Sequence, residues 1–139
     1  MAGTESEHLE IKVAAPVGFT RVYTGARGET HFSDETLSFE LVDYAPPAAP
    51  ISLSAIFTAQ NICFISSPAG WHGDWHRAPH RQFVLGLVGE LEVEVSDGEV
   101  RRFGPGSVIL VEDTSGKGHL SRVVGTERMM AAAVPLADR

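Results

Sequence analysis

Residues 70–89 read GWHGDWHRAPHRQFVLGLVG. His72, His76 and His80 crowd ahead of Gln82, which opens the apolar run FVLGLV. Beyond Gly89-Glu90 comes Leu91-Glu92-Val93-Glu94-Val95. That strict alternation predicts a half-buried strand with Leu91, Val93 and Val95 facing in. Asp97-Gly98 marks a tight turn, because glycine accepts a positive φ. Val100 to Phe103 reads as the return strand, and Gly104-Pro105-Gly106 as a second turn. Residues 107–111 form an apolar strand, and the loop 112–118 delivers a further histidine, His119, at the head of a strand over 119–124. The stretch 128–134 is the last strand, although its MMAAA core suits a helix as well.

Upstream of the opening stretch the signals are similar. Residues 11–23 hold β-formers broken by Pro16 and Gly18, enough for one or two short strands. Residues 25–32, GARGETHF, are turn-rich and then polar, and Glu29 and His31 read as surface residues ahead of a strand. Residues 37–44, LSFELVDY, alternate with Leu37, Phe39 and Leu41 on one face. APPAAP at 45–50 cannot be a central strand or a helix interior and is a loop. Strands are expected again at 51–57 and 61–66. No segment sustains the 3.6-residue period of a long amphipathic helix. Many short strands with turn signals every 8 to 12 residues predict an all-β sandwich or barrel.

The chain has 139 residues, the size of one domain, and 43% of them are hydrophobic, which supports a real core. Residues 1–10 read as a loose polar tail, leaving 11–139 as a single domain. The net charge of −7 gives no electrostatic help toward phosphate backbones, so nucleic acid is not an expected partner. No apolar run approaches a membrane span of roughly 20 residues, and the N-terminus lacks a basic, apolar leader. A lone cysteine, Cys63, excludes an intrachain disulfide and suits a reducing cytoplasm. Its apolar setting, NICFIS, predicts a buried small hydrophobe.

The chain resembles the cupins, small double-stranded β-helix (jelly-roll) barrels. Their first motif is matched in spacing by Gly70, His76, Ala78, Gln82 and Gly89, over about 70–89. The second, about 106–123, is matched by Gly106, Gly116, His119 and Val123, with two residues inserted, Thr114 in place of a proline and Val123 in place of an asparagine. More narrowly, the chain looks like small bacterial cupins with Trp-His-x-Ala-Pro-x-Arg-Gln and Asp-Thr-x-Gly-Lys-Gly-His signatures. The likeness covers roughly 66–124 and implies an all-β, single-domain cupin-type barrel.

What the resemblance implies for the site follows position by position. A metal cupin holds its ion with two histidines and a glutamate from the first motif and a histidine from the second. Those positions are His76, Ala78, Gln82 and His119 here. One ligand has become Ala78 and the carboxylate has become an amide. Residues two apart share a face of a strand, so His80 is a candidate replacement, giving a metal set of His76, His80, Gln82 and His119. Pro79 works against this by bending the segment. The cofactor is therefore either none or one divalent transition metal such as iron, nickel, manganese or zinc.

Without metal, the expected chemistry is acid–base catalysis on a small organic molecule: isomerisation, dehydration or cyclisation. His119 and His76 would exchange the proton, and Gln82 would orient a carbonyl or hydroxyl. Trp75, His80, Thr114 and Lys117 are the expected substrate contacts, with Trp71 beside Trp75 at the pocket mouth. His72 is expected on the surface, and Arg81 at the surface or a subunit contact. Metal-dependent oxygenase or lyase chemistry and a non-catalytic small-ligand module are the alternatives. Cupins commonly pair, so the resemblance implies a homodimer.

Overall fold

The computed structural model describes residues 10–137. Most of the expected N-terminal tail, residues 1–9, lies outside the described residues, as do 138–139. The strands are β1 (Val17–Thr24), β2 (Thr30–Leu37), β3 (Glu40–Val42), β4 (Ile51–Leu53), β5 (Cys63–Ser67), β6 (Gln82–Val88), β7 (Glu90–Val95), β8 (Val100–Phe103), β9 (Val108–Val111), β10 (His119–Val124) and β11 (Met129–Pro135). A single turn of 3-10 helix, Ala26–Gly28, separates β1 from β2. None of the helical segments among the described residues is long and apolar enough to cross a membrane.

By internal contacts the chain divides into two units, Met1–Gly18 with Thr36–Ile56, and Phe19–Glu35 with Phe57–Arg139. In the first unit, β3 and β4 form an antiparallel ribbon with Glu40 opposite Leu53 and Val42 opposite Ile51. The continuous strand expected over 37–44 is broken: β2 ends at Leu37, β3 begins at Glu40, and Leu41 is exposed. A two-stranded ribbon has no second layer within its unit against which to bury a face. The strand expected over 51–57 stops at Leu53 for want of a longer partner.

The two larger sheets run β2-β1-β9-β6-β11-β5 and β10-β7-β8. Pairing is antiparallel throughout the smaller sheet, while β1 lies parallel to β9 in the larger. Val22, Ile109 and Val111 from the larger sheet meet Val93 and Val95 from the smaller in one buried cluster. The sheets of this unit therefore pack face to face in an all-β jelly roll. The alternation over 91–95 holds: Val93 and Val95 are buried, while Glu92 reaches out to Arg102 and Arg122. MMAAA becomes strand. β11 lies between β6 and β5, so ladder hydrogen bonds on both sides outweigh the helical preference of its alanines.

Cys63 departs from expectation: it is exposed, not buried. β5 is an edge strand, and within it Phe64 is 66% exposed and Ile65 40%. An apolar run signals burial only where a second layer covers it, and Cys63, Phe64 and Ile65 lie exposed on this edge.

Candidate functional site

The stretch 70–81 crosses between the sheets. It first runs antiparallel beside β10, with bridges His72 to Arg122 and His76 to His119. The bridged histidines are four positions apart on one side and their partners three positions apart on the other, so the segment carries one extra residue, as in a bulge. Gly73 N–H donates to Ser121 C=O, and Ala78 N–H to Asp113 C=O. The chain then bends at 79–81 and enters β6 at Gln82.

This path decides which side chains converge. His76 and His119 exchange both backbone hydrogen bonds, at 3.0 and 2.9 Å, and their rings lie 4.5 Å apart between centroids. Gln82 reaches the same place from the start of β6. Together they line a cavity of about 170 Å³ between the sheets. That is comparable to an engineered apolar cavity of about 150 Å³ that admits benzene. Most of the wall is apolar, including Val22, Val84, Leu91, Val93 and Met129, and it contains no Asp, Glu, Lys or Arg. Besides the two histidines and Gln82, the polar lining is Ser67 and Ser121.

Each imidazole is held through Nδ1. His76 Nδ1–H donates to the Asp74 carbonyl at 2.9 Å. His119 Nδ1 lies 2.6 Å from Asp113 Oδ2, and Asp113 is fully buried. A carbonyl only accepts, so His76 carries a proton on Nδ1, and the Asp113 contact likewise occupies Nδ1 of His119; Nε2 is the nitrogen of each ring outside these two bonds. The second Asp113 oxygen, Oδ1, is buried without a protein hydrogen bond among the described residues.

The other expected contacts lie elsewhere. His80 is exposed and outside the cavity wall. The bend at 79–81 breaks the alternation that would have aimed it inward. Trp75 is 45% exposed and does not line the cavity, whereas Trp71 does. Thr114 lines a separate surface pocket. Lys117 pairs with Glu29 at 3.0 Å instead of reaching the cavity. His31 pairs with Asp97 at 2.7 Å, and His72 is exposed. Arg81 is tied to Glu112.

The two histidines, one from each motif, thus meet through their backbones at a cavity between two jelly-roll sheets. The fold is an all-β jelly roll. Solved structures similar to the chain include the Cnp3 cupin domain of Schizosaccharomyces pombe, at 14% identity and a TM-score of 0.48, covering 87% of this chain and 88% of that one. A cupin domain from Bordetella pertussis is similar at 15% identity and a TM-score of 0.41, covering 60% of this chain and 93% of that one. A conserved protein of unknown function from Streptococcus pyogenes is similar at 20% identity and a TM-score of 0.43; the match covers 56% of this chain and 64% of that one, less than two thirds of its length. No family model matches the chain, and no curated protein does. The likeness concerns fold alone.

The motif spacing shared with metal cupins raises the question of a metal. Among the described residues, no three His, Cys, Asp or Glu side chains converge to hold one. His76 and His119 offer their Nε2 atoms, Gln82 adds a neutral amide, and Ala78 stands at the third position, 4% exposed. Asp113 is committed to His119. Two imidazoles and an amide do not fit a tightly held divalent ion.

Sequence reasoning missed Asp113, Ser67 and Ser121. For Asp113 a signal existed: a carboxylate six residues ahead of a motif histidine, inside a Gly-rich loop able to fold back. The serines carry no such signal, since their roles depend on which strand face meets the cavity.

Proposed function

We propose that the cavity binds a small, mostly apolar organic molecule bearing one or two oxygen functions, and that His119 and His76 move a proton on it. The observation that carries this reading is the buried Asp113–His119 pair, which engages His119 through Nδ1 at the wall of a mostly apolar cavity and keeps Nε2 out of that bond. A carboxylate on Nδ1 fixes the tautomer and stabilises the imidazolium as it forms. His119 takes a proton from carbon next to a carbonyl, or from a hydroxyl. His76, whose ring is 4.5 Å away, is the partner through which the proton returns at another position. Gln82 can donate its amide N–H to the carbonyl oxygen on which charge develops. Isomerisation, dehydration and cyclisation all fit this set.

The test is solvent exchange. A panel of small ketones, enones and hydroxy acids is incubated with the protein in D₂O and followed by proton NMR. Deuterium wash-in that disappears in His119→Gln supports proton transfer. Wash-in that survives this change overturns the assignment. Saturable binding with no exchange and no product favours the non-catalytic ligand module.

The homodimer implied by the resemblance also stands as a proposal, and a monomeric mass at micromolar concentration overturns it. The cytoplasmic setting is proposed on the lone cysteine, and cell fractionation tests it.

A further inference from the structure

Strand alternation gives β1 two roles. Val22 points into the cavity and is fully buried, so Arg21 and Tyr23 point to the opposite face of the sheet. There the ends of three strands meet. Val22 pairs with Val111 across β1 and β9, and Val111 with Gln82 across β9 and β6. The residues that flank this row, Arg21, Glu112 and Arg81, therefore come together. Glu112 bonds Arg21 Nε through Oε1 and Arg81 Nε through Oε2. Its side chain is 8% exposed, against 35% and 27% for the two arginines.

Two guanidiniums share one carboxylate on a chain of net charge −7. A guanidinium carries five N–H donors in a fixed fork. Contact through Nε engages one edge and leaves Nη donors on the other. Arg21 is further seated on the Tyr23 ring, 4.4 Å from its centroid. Both forks are thus held in place before any ligand arrives, which lowers the ordering cost of binding. They line an open pocket of about 270 Å³ together with Tyr23, Thr24, Glu112, Thr114 and Ser115. Thr24 Oγ1 donates to the Ser115 carbonyl at 2.7 Å and anchors that rim.

We propose that this pocket is an oxyanion site, taking a phosphate or carboxylate group on the Nη edges of Arg21 and Arg81 that face away from Glu112, with the Thr114 hydroxyl as a further donor. Bidentate guanidinium contacts suit both planar and tetrahedral oxyanions. The site is separate from the cavity of His76 and His119 and does not depend on the function proposed for it.

The experiment titrates the full chain with inorganic phosphate, and separately with acetate, at constant ionic strength, following backbone amides and arginine Nε–H signals by NMR. Saturable shifts at Arg21, Arg81, Thr114 and Ser115 are expected. Response to phosphate alone assigns a tetrahedral ligand, and response to acetate assigns a carboxylate site. Arg21→Gln and Arg81→Gln should each weaken binding by about tenfold or more, while Arg102→Gln, on the smaller sheet, leaves it unchanged. Arg21→Lys keeps the charge without the fork and should fall between. Unmoved signals with both anions, or wild-type affinity in a folded Arg21→Gln protein, overturn the proposal. So does a change of molecular mass in these variants with no anion response in the wild type, which would make the arginine pair a subunit contact.

Discussion

Asp113 Oδ2 lies 2.6 Å from His119 Nδ1, and no solvent reaches the carboxylate. The contact occupies Nδ1 of the imidazole. On the proposed function Asp113 is a positioning residue: it touches His119 and does not line the cavity.

Asp113→Asn tests that role. An amide can donate as well as accept, so the His119 proton is no longer confined to Nδ1. In the wild type, nitrogen NMR of His119 is expected to show the Nδ1–H tautomer. The variant should show a mixture or the opposite tautomer, and exchange activity lower by about a hundredfold or more. An unchanged tautomer with unchanged activity would make the pair merely structural.

Ala78 tests the metal question from the other direction. It lines the cavity beside His76 and His119, at the position where the family resemblance places a histidine. The double change Ala78→His with Gln82→Glu supplies a third imidazole and a carboxylate. Calorimetry with zinc or nickel should show about one ion per chain in the double variant and binding weaker by about a hundredfold or more in the wild type. Equal, tight binding in both would mean that His76, Gln82 and His119 suffice, and would reinstate the metal-dependent reading.

The all-β architecture was legible because strand alternation and turn residues are local signals. Leu91 to Val95 and Asp97-Gly98 carry theirs within a few positions. His76, Gln82 and His119 were legible through motif spacing, which encodes how far apart the chain must place them. His80 was misjudged because alternation holds only while a strand continues, and Pro79 opens a bend instead. Cys63 and Leu41 were misjudged because hydrophobicity says what prefers burial, not whether a second layer is present. Asp113 escaped notice because its partner is chosen by the fold of a loop.

Asp97 should make part of the stability acid-sensitive. The Glu99 backbone N–H is the largest influence lowering its carboxyl below the usual aspartate range, and the His31 side chain adds to it against a burial penalty. A carboxyl lowered on folding contributes stability above its unfolded value of about 3.9, and that contribution is lost as pH falls through the folded value. Asp97→Asn should therefore be less stable than the wild type at neutral pH. The gap should narrow as pH falls below about 4. Urea unfolding at a series of pH values measures it, and a constant gap would contradict the assignment.

Gly118 should prove indispensable to the histidine pair. It has a φ of +75°, and a Cβ there would lie 2.2 Å from the His76 carbonyl oxygen. That oxygen is the one that accepts the His119 N–H. Left-handed backbone costs a non-glycine residue about 1–2 kcal/mol, and here the overlap also forces the two backbones apart. Gly118→Ala should lose roughly 3 kcal/mol or more and separate the His76 and His119 rings. Gly98→Ala is the control: its φ is +99°, but no atom lies within 4 Å of a built Cβ. It should cost about 1 kcal/mol and leave the cavity intact. Denaturant unfolding and the ring signals of the two histidines separate the outcomes. If the two alanine variants behave alike, the backbone exchange between His76 and His119 does not hold the site together.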